Sequence, residues 1–182
     1  MIYLYPTDTV YGLGVDARDA EAVRALRVLK GSGGEKHYSI AVSGLEMMRE
    51  YAEVTPLAER LVQKFLPGKL TIILKAKNLP HELSDDGTIG VRVPDHPVVR
   101  ELIKKIGGPI TATSANVSGQ STQKTVPDIL SQFGDRAGEI YFDPAWPSTL
   151  PESLPSTVVD ARGESLVLIR EGAVPWSDLQ GV

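Results

Sequence analysis

The sequence predicts an α/β protein that forms one domain over residues 1–182. Its 182 residues, 42% of them hydrophobic, are enough for one hydrophobic core of ordinary size. Short apolar runs rich in β-forming residues alternate with helical patterns along the chain, as they do in α/β sheets. Because no internal repeat and no linker divides the sequence into two cores, a single domain is expected.

The strands are predicted from short apolar runs of β-forming residues bounded by glycine, proline or polar residues. In chain order the predicted strands are 2–5, 38–42, 70–74, 89–93, 109–113, 140–142, 157–160 and 166–169. The helices are predicted from apolar residues spaced along one face, most of them with a cap or a terminator. The predicted helices are one after Asp19 that ends near Lys30, one from Pro56 that stops at Pro67, one over 98–106 before Gly107, and one over 129–133.

A long proline-rich segment interrupts this pattern in the last third of the chain. Residues 143–156 include four prolines, a density that excludes regular helix and the interior of a sheet. A surface loop is therefore expected. Loops longer than about 12 residues in a compact domain are often lids over a binding site, and a plain spacer is the alternative.

The composition limits the chemistry that the protein can use. With 19 Lys and Arg against 23 Asp and Glu, the formal net charge of −4 argues against a surface wholly devoted to nucleic acid. The absence of cysteine excludes disulfides, thiolate nucleophiles and Cys-ligated metals. No apolar run approaches the roughly 18 residues that span a bilayer, and no signal-peptide pattern precedes the first strand. A cytoplasmic location without a membrane partner is expected.

Two glycine patterns suggest nucleotide loops, and neither fits its context. Residues 12–17, GLGVDA, match the dinucleotide pattern G-x-G-x-x-A, but the segment 6–11 separates them from the preceding strand. A Walker A loop is absent, because Leu70 follows Gly68 and Lys69 and no glycine stands at the required upstream position.

Three other features could face a ligand. Segment 30–36 places two lysines around a glycine-rich turn, which suits an anion but also fits a solvated turn. Segment 111–119 carries six side-chain hydrogen-bonding groups, on five residues, directly after a strand, where α/β sheets bind ligands, although turn and capping residues look the same. Arg92 and Arg170 lie in apolar strands and must face either water or an anion in a cleft. The three histidines show neither metal-ligand nor triad spacing, so surface or capping roles are expected.

Four segments taken together resemble one family. They are YPTDTVYGLG at 5–14, TIGVRVP at 88–94, TSANVSG at 113–119, and STVVD at 156–160 with Arg170 beyond. In order and spacing they are similar to the YrdC-type L-threonylcarbamoyladenylate synthase family, over nearly the whole chain. The resemblance implies a YrdC/RibB-like domain with a twisted mixed sheet, flanking helices and a concave cationic cavity. It also implies a nucleotidyltransferase that converts L-threonine, bicarbonate and ATP, with Mg²⁺, into threonylcarbamoyl-AMP and pyrophosphate, for threonylcarbamoyladenosine at position 37 of tRNA.

The same resemblance implies which residues form the site. Threonine would contact Thr9, Arg92, Ala112 and Ser156. ATP would contact Lys36, Thr88, Ser114, Asn116, Thr122 and Arg170. Lys30, Lys36 and Arg92 would be catalytic, and no resident metal is expected. The implied partners are the three substrates and a downstream threonylcarbamoyl transferase complex, with RNA as a further candidate.

The chain also departs from the family pattern. Ser32 stands where the pattern has an arginine, and Ala41 stands where some members have a histidine. The sequence opens at the first strand, which a helix usually precedes in the family. A lost charge-assisted contact could lower triphosphate affinity by roughly one to two decades. Two alternatives therefore stay open: a catalytically altered relative that binds nucleotide or structured RNA, and a synthase acting on another carbamate or carbamoyl donor.

Overall fold

The computed structural model describes residues 1–31 and 37–182, and its strands form one mixed sheet. The strands are β1 (Ile2–Tyr5), β2 (Gly12–Gly14), β3 (Ser39–Ala41), β4 (Ala52–Glu53), β5 (Leu70–Ala76), β6 (Thr88–Arg92), β7 (Ile110–Ser114), β8 (Ile140–Tyr141), β9 (Thr157–Asp160) and β10 (Val167–Arg170). Their order across the sheet is β10-β9-β5-β6-β3-β7-β2-β1-β8, with β4 paired to β5. The pairs β1–β8, β3–β6 and β5–β9 are parallel, and the other pairs are antiparallel.

Helices pack against both faces of the sheet. They are α1 (Ala20–Lys30), α2 (Leu45–Tyr51), α3 (Pro56–Phe65), α4 (Pro97–Ile106), α5 (Val126–Phe133) and a short α6 (Trp176–Leu179). Each predicted strand and helix is present, with most ends shifted by one to three residues, so the predicted fold class is confirmed. None of these helices is both long and apolar enough to cross a membrane.

The helix ends follow the predicted chemistry. The Asp19 side chain accepts hydrogen bonds from the amides of Glu21 and Ala22, and Thr55 caps α3 in the same way. Gly31 and Gly107 end their helices with φ of 67° and 71°, in the left-handed region that glycine adopts without a steric penalty. These local signals explain why the helix boundaries could be predicted closely.

The dinucleotide-like glycines lie inside a strand that the sequence did not predict. Strand β2 pairs with β1 on one side and β7 on the other. A Cβ at Gly12 would lie 2.7 Å from the Tyr5 ring, and one at Gly14 would lie 2.7 Å from the carbonyl oxygen of Thr111. The glycines are therefore required by close packing of strands and a tyrosine ring.

The two faces of the sheet differ in what covers them. Helices α1, α3 and α5 bury Leu26, Leu61 and Ile129 completely in the larger core, together with alternate strand residues such as Leu4 and Ile40. On the opposite face, α4 packs against a smaller cluster that includes Tyr5, Ala41 and Ile110. Because successive strand residues point to opposite faces, the positions in phase with this cluster continue along that face. Their side chains include Ser39, Ala112 and Ser114, and they form a cavity floor.

Candidate functional site

A cavity of about 400 Å³ lies on the α4 face of the sheet. Its floor crosses the sheet from β10 to β1. Residues that lie opposite one another on neighbouring strands form it: Thr71 with Val158, Ser39 with Ala112, and Gly12 with Ser114. A volume of this size accommodates a small-molecule ligand. The floor is polar because small hydroxyl-bearing residues occupy strand positions that would otherwise carry core residues.

A glycine allows two of these hydroxyl residues to approach one another. Gly90 lies opposite Ser39 in the parallel pair β3–β6. A Cβ at Gly90 would lie 2.5 Å from Ser39 Oγ and 3.1 Å from Thr71 Cγ2. Any side chain at this position would push both residues out of place, so Gly90 keeps this part of the floor deep.

Arg92 lies at the end of β6 and reaches the cavity from the sheet. It is only 8% exposed. Its Nη2 donates to Asp8 Oδ1 at 2.7 Å, and its Nη1 donates to Thr9 Oγ1 at 3.2 Å. Burial lowers the pKa of Arg92, and the neighbouring Asp8 carboxylate opposes that effect. Of the two orientations left open by the sequence, the structure shows the cleft orientation.

The loop after β1 presents threonine hydroxyls to Arg92. Thr7 Oγ1 accepts a hydrogen bond from the amide of Thr9 at 3.0 Å and donates to the carbonyl oxygen of Val10 at 2.7 Å. Side-chain bonds of this kind fix a turn without regular secondary structure. The turn holds Thr7 and Thr9 in the cavity wall and Asp8 against Arg92.

Arg170 enters the cavity from β10 because the strand register shifts there. Leu168 pairs with Val159, but Arg170 pairs with Val158, so one residue is unmatched between them, as in a β-bulge. Val159 belongs to the large core and Val158 lines the cavity. The shift therefore turns Arg170 to the cavity face, where it donates to the carbonyl oxygen of Ser156 at 2.9 Å.

This geometry gives a test of the bulge. In regular pairing Ile169, which is 56% exposed, would take the place of Arg170 opposite Val158. If Arg170 binds ATP, as the family resemblance implies, the exchange variant Ile169→Arg/Arg170→Ile should weaken ATP binding about tenfold to 100-fold, because the guanidinium moves off the cavity face. Deletion of Ile169, the matched control, should leave Arg170 opposite Val158 and keep ATP affinity within about threefold of wild type, since no charge-assisted contact is lost. Calorimetric titration with ATP measures both, and equal affinity of the exchange variant and wild type would contradict this assignment.

Lys30 supports the loop after β7 from below. It is 1% exposed, and its Nζ donates to the carbonyl oxygens of Ser114 at 2.6 Å and Asn116 at 2.8 Å. It is not among the lining residues of the cavity. Its ammonium group therefore contacts backbone carbonyls beneath the loop, and the catalytic role expected of Lys30 remains a prediction.

Asn116 stabilises the same loop from within. Its Oδ1 accepts from Ser114 Oγ, and its Nδ2 donates to the carbonyl oxygens of Val117 and Gln120 at 3.0 Å and 2.7 Å. These bonds fold residues 114–120 into a compact turn whose members line the cavity. The polar cluster predicted here thus shapes the loop and also faces the cavity.

Most of the residues predicted for the site lie around this one cavity. Those that line it are Thr9, Arg92, Ala112, Ser114, Asn116, Thr122, Ser156 and Arg170. Lys36, like Ser32, lies outside the described residues. The eight residues that line the cavity are close enough to serve the predicted threonine and ATP groups, while their individual roles remain predictions.

Thr88 is placed differently from the other predicted ATP contacts. Its hydroxyl and its amide both donate to Asp86 Oδ1, at 2.7 Å and 2.9 Å. These bonds, with one from Ser84, hold the pKa of Asp86 well below its usual range. Thr88 lines a smaller neighbouring cavity of about 260 Å³ rather than the large one. In this arrangement its side chain stabilises the turn before β6.

Several residues that line the cavity were missed in the sequence. Ser39 and Thr71 carry the clearest overlooked signal, because each is a polar residue in phase with the cavity face of an otherwise apolar strand. His37 also lines the cavity, and its Nδ1 lies 3.1 Å from Ser84 Oγ, whereas a surface or capping role was expected. His96 does cap a helix, since its Nδ1 accepts from the amide of Val98.

The proline-rich loop is present and borders the cavity at its end. Pro155 and Ser156 line the cavity. Tyr11 donates through its hydroxyl to the carbonyl oxygen of Pro147 at 2.6 Å, and the amide of Leu150 donates to the carbonyl oxygen of Lys124 at 3.0 Å. The middle of the loop is therefore attached to the body of the protein. Closure over a ligand remains a prediction.

Comparisons with known proteins agree with this geometry. The sequence model of the family Sua5_yciO_yrdC, described as Telomere recombination, matches residues 1–172. A relative from Methanocaldococcus jannaschii is 36% identical over 179 residues, which cover 98% of this chain and 83% of the relative. The threonylcarbamoyl-AMP synthase of Vibrio vulnificus is 34% identical over 176 residues, 94% of this chain and 91% of that enzyme. The crystal structure of P. abyssi Sua5 complexed with L-threonine superposes with a TM-score of 0.89 at 31% identity, covering 99% of this chain. This chain spans 53% of that Sua5 chain, about half its length.

Proposed function

The chain belongs to the Sua5/YciO/YrdC family, and on this premise we propose that it is a threonylcarbamoyl-AMP synthase. Its substrates are L-threonine, bicarbonate and ATP, and its products are threonylcarbamoyl-AMP and pyrophosphate. The observation that carries this proposal is that Arg92 and Arg170 line the same cavity, together with polar residues such as Thr9 and Ser156. Such a cavity can hold an amino acid and a nucleotide side by side.

The amino-acid end of the cavity is formed around Arg92. A planar guanidinium can bind a carboxylate through two parallel hydrogen bonds, so Arg92 would hold the carboxylate of threonine. Thr9 supplies a hydroxyl 3.2 Å from Nη1, Ser156 supplies another hydroxyl to the same cavity lining, and Ala112 leaves room on the floor. A relative in the family, P. abyssi Sua5, has been crystallised with L-threonine, which supports this choice of amino acid.

The nucleotide end is formed by Arg170 and the loop after β7. Arg170 supplies a positive charge for the triphosphate, and Ser114, Asn116 and Thr122 supply hydrogen-bonding groups. Lys36 would add a second cation, as the family pattern implies. The charges and hydrogen-bond donors needed for a nucleotide are therefore available at this end.

The reaction proceeds by positioning and charge neutralisation. The ammonium group of threonine loses a proton to solvent, and the resulting amino group reacts with bicarbonate to give a carbamate and water. A carbamate oxygen then attacks the α-phosphorus of ATP as pyrophosphate leaves. No protein nucleophile is required, which suits a chain without cysteine. Holding the reactants together and stabilising the charge on the phosphates supply the rate enhancement.

Mg²⁺ enters with ATP as part of the substrate. Within the described part of the chain, no group of three or more His, Asp or Glu side chains could hold a metal ion. Among the described residues, the cavity lining has arginines and hydroxyls but no carboxylate. Such a lining does not suit a resident divalent cation. The phosphates themselves would carry the ion.

This function predicts a strict requirement for all substrates. The purified protein should release pyrophosphate only when ATP, Mg²⁺, bicarbonate and L-threonine are all present. Omitting each component in turn is the control, and replacing threonine with other amino acids separates this synthase from one with another substrate. Absence of threonine-dependent release would contradict the proposal.

Later steps of the pathway remain predictions. The product would supply the threonylcarbamoyl group at position 37 of tRNA through a separate transferase complex, in the cytoplasm. Contact with RNA, which is the alternative use of the same cavity, would show as binding that weakens steeply with salt.

A further inference from the structure

The two arginines of the cavity differ in their ionic partners. Arg92 forms an ion pair with Asp8 at 2.7 Å, and both side chains are 9% exposed. Arg170 donates to a neutral carbonyl, that of Ser156, and no carboxylate of the described residues lies within ion-pair distance of it. One cationic group is therefore compensated by a buried carboxylate, whereas the other has no such carboxylate partner within residues 1–31 and 37–182.

The Asp8–Arg92 pair is poorly suited to a purely stabilising role. Within the described part of the chain, Asp8 Oδ2 and Arg92 Nε are buried without a hydrogen-bond partner. Burying charged groups is costly, and the cost is recovered only when the geometry is good and the remaining polar atoms are satisfied. A pair with an unsatisfied atom on each side is more consistent with a functional role.

The position of Asp8 fits that role. Its neighbours Thr7 and Thr9 line the cavity, whereas Asp8 contacts the cavity only through Arg92. Its carboxylate thus holds one edge of the guanidinium, and Thr9 Oγ1 accepts from Nη1 at 3.2 Å. The orientation of Arg92 is therefore fixed by Asp8 from behind the cavity wall and by Thr9 from within that wall.

The charge of Asp8 also determines which anion Arg92 can attract. The pair is neutral overall, so a polyphosphate gains little from it and is repelled by the nearby carboxylate. An α-amino acid carries an ammonium group beside its carboxylate and is itself neutral, so it meets no such repulsion. Arg170, without a carboxylate partner among the described residues, keeps its full attraction for phosphates.

Resting on the synthase function proposed above, we propose that Asp8 is a positioning and specificity-determining residue that reserves Arg92 for a zwitterionic amino acid. It orients the guanidinium through the buried ion pair. Its negative charge excludes the triphosphate of ATP, and released pyrophosphate, from the amino-acid end. The single cavity is thereby divided into a zwitterion subsite and a polyanion subsite.

The test is the Asp8→Asn variant titrated with inorganic pyrophosphate. Asparagine keeps the size and an acceptor oxygen but removes the charge. Pyrophosphate should then compete with L-threonine for the amino-acid end. The variant should bind pyrophosphate there at least about tenfold more tightly than wild type does. In wild type, pyrophosphate and threonine should bind without competition. Asp95→Asn is the matched control, because it removes an exposed carboxylate that pairs with Arg100, and it should behave as wild type.

Two further measurements keep the proposal testable if Asp8→Asn is unstable. Asp8→Glu retains the charge and should still exclude pyrophosphate. The unchanged protein should bind L-threonine at least about tenfold more tightly than 2,3-dihydroxybutanoate, which keeps the carboxylate but lacks the ammonium group. Equal binding of these two ligands, or pyrophosphate binding in Asp8→Asn that does not compete with threonine, would overturn the proposal.

These outcomes are separate from those that test the synthase itself. If wild type makes no threonylcarbamoyl-AMP but pyrophosphate competes with threonine only in Asp8→Asn, the synthase function fails and the role of Asp8 stands. If wild type is active and no competition appears in the variant, the function stands and the role of Asp8 fails.

Discussion

Arg92→Ala is expected to abolish threonine-dependent pyrophosphate release while ATP binding is largely kept. Removing the guanidinium removes the proposed charge-assisted contact to the threonine carboxylate, so kcat/KM for threonine should fall at least about 100-fold. ATP affinity should change by less than about threefold, because the proposal assigns the nucleotide to Arg170 and the loop after β7. Steady-state kinetics with threonine and calorimetric titration with ATP measure the two effects separately.

The same substitution leaves Asp8 buried without its partner, so stability must be controlled. Breaking a buried ion pair from one side costs about 3 to 5 kcal/mol. The double variant Asp8→Ala/Arg92→Ala removes both charges and should unfold at a higher denaturant concentration than Arg92→Ala alone. Arg100→Ala, at an exposed pair on α4, is the matched control and should keep full activity. Loss of ATP binding with threonine binding intact would reverse the assignment of the two ends.

Local sequence signals predicted the framework of the protein. Asp19, Thr55 and Gly107 act within a few residues of themselves, so caps and terminators placed the helices closely. Short apolar runs of β-forming residues placed the strands in the same way. Strand β2 was not predicted, because a glycine pattern alone does not identify a strand. Gly12 and Gly14 leave the space that the packed ring of Tyr5 occupies.

The functional site depends on contacts between residues far apart in the sequence and on strand register, which local patterns do not contain. Arg92 and Asp8 are 84 positions apart, and their pairing follows only from the order of strands in the sheet. The orientation of Arg170 depends on a one-residue register shift against β9, which composition does not reveal. The resemblance to a family supplied part of the cavity lining, such as Thr9 and Arg170, but not Ser39 or Thr71. It could not separate Lys30, which supports the loop, from residues that face a ligand.

Lys30→Met is expected to weaken both stability and activity. Methionine is nearly as long as lysine but has no donor, so the carbonyl oxygens of Ser114 and Asn116 lose their bonds to Nζ. Because bonds to a charged group contribute about 1.5 to 3 kcal/mol each, the free energy of unfolding should fall by about 3 kcal/mol. The loop 114–122 would shift, and kcat/KM should fall about 100-fold, since misplacement by about 1 Å can have that effect.

The cause of that loss can be identified by comparing three measurements on Lys30→Met. Urea unfolding gives the stability, hydrogen exchange of the amides in 114–122 gives the order of the loop, and pyrophosphate release gives the activity. Lys104→Met, on the exposed face of α4, is the matched control and should change none of them. Lost activity with unchanged stability and unchanged exchange would mean that Lys30 leaves its carbonyl partners to contact a substrate. Protection in 114–122 that falls together with activity would instead establish that the ammonium group acts through the loop it supports.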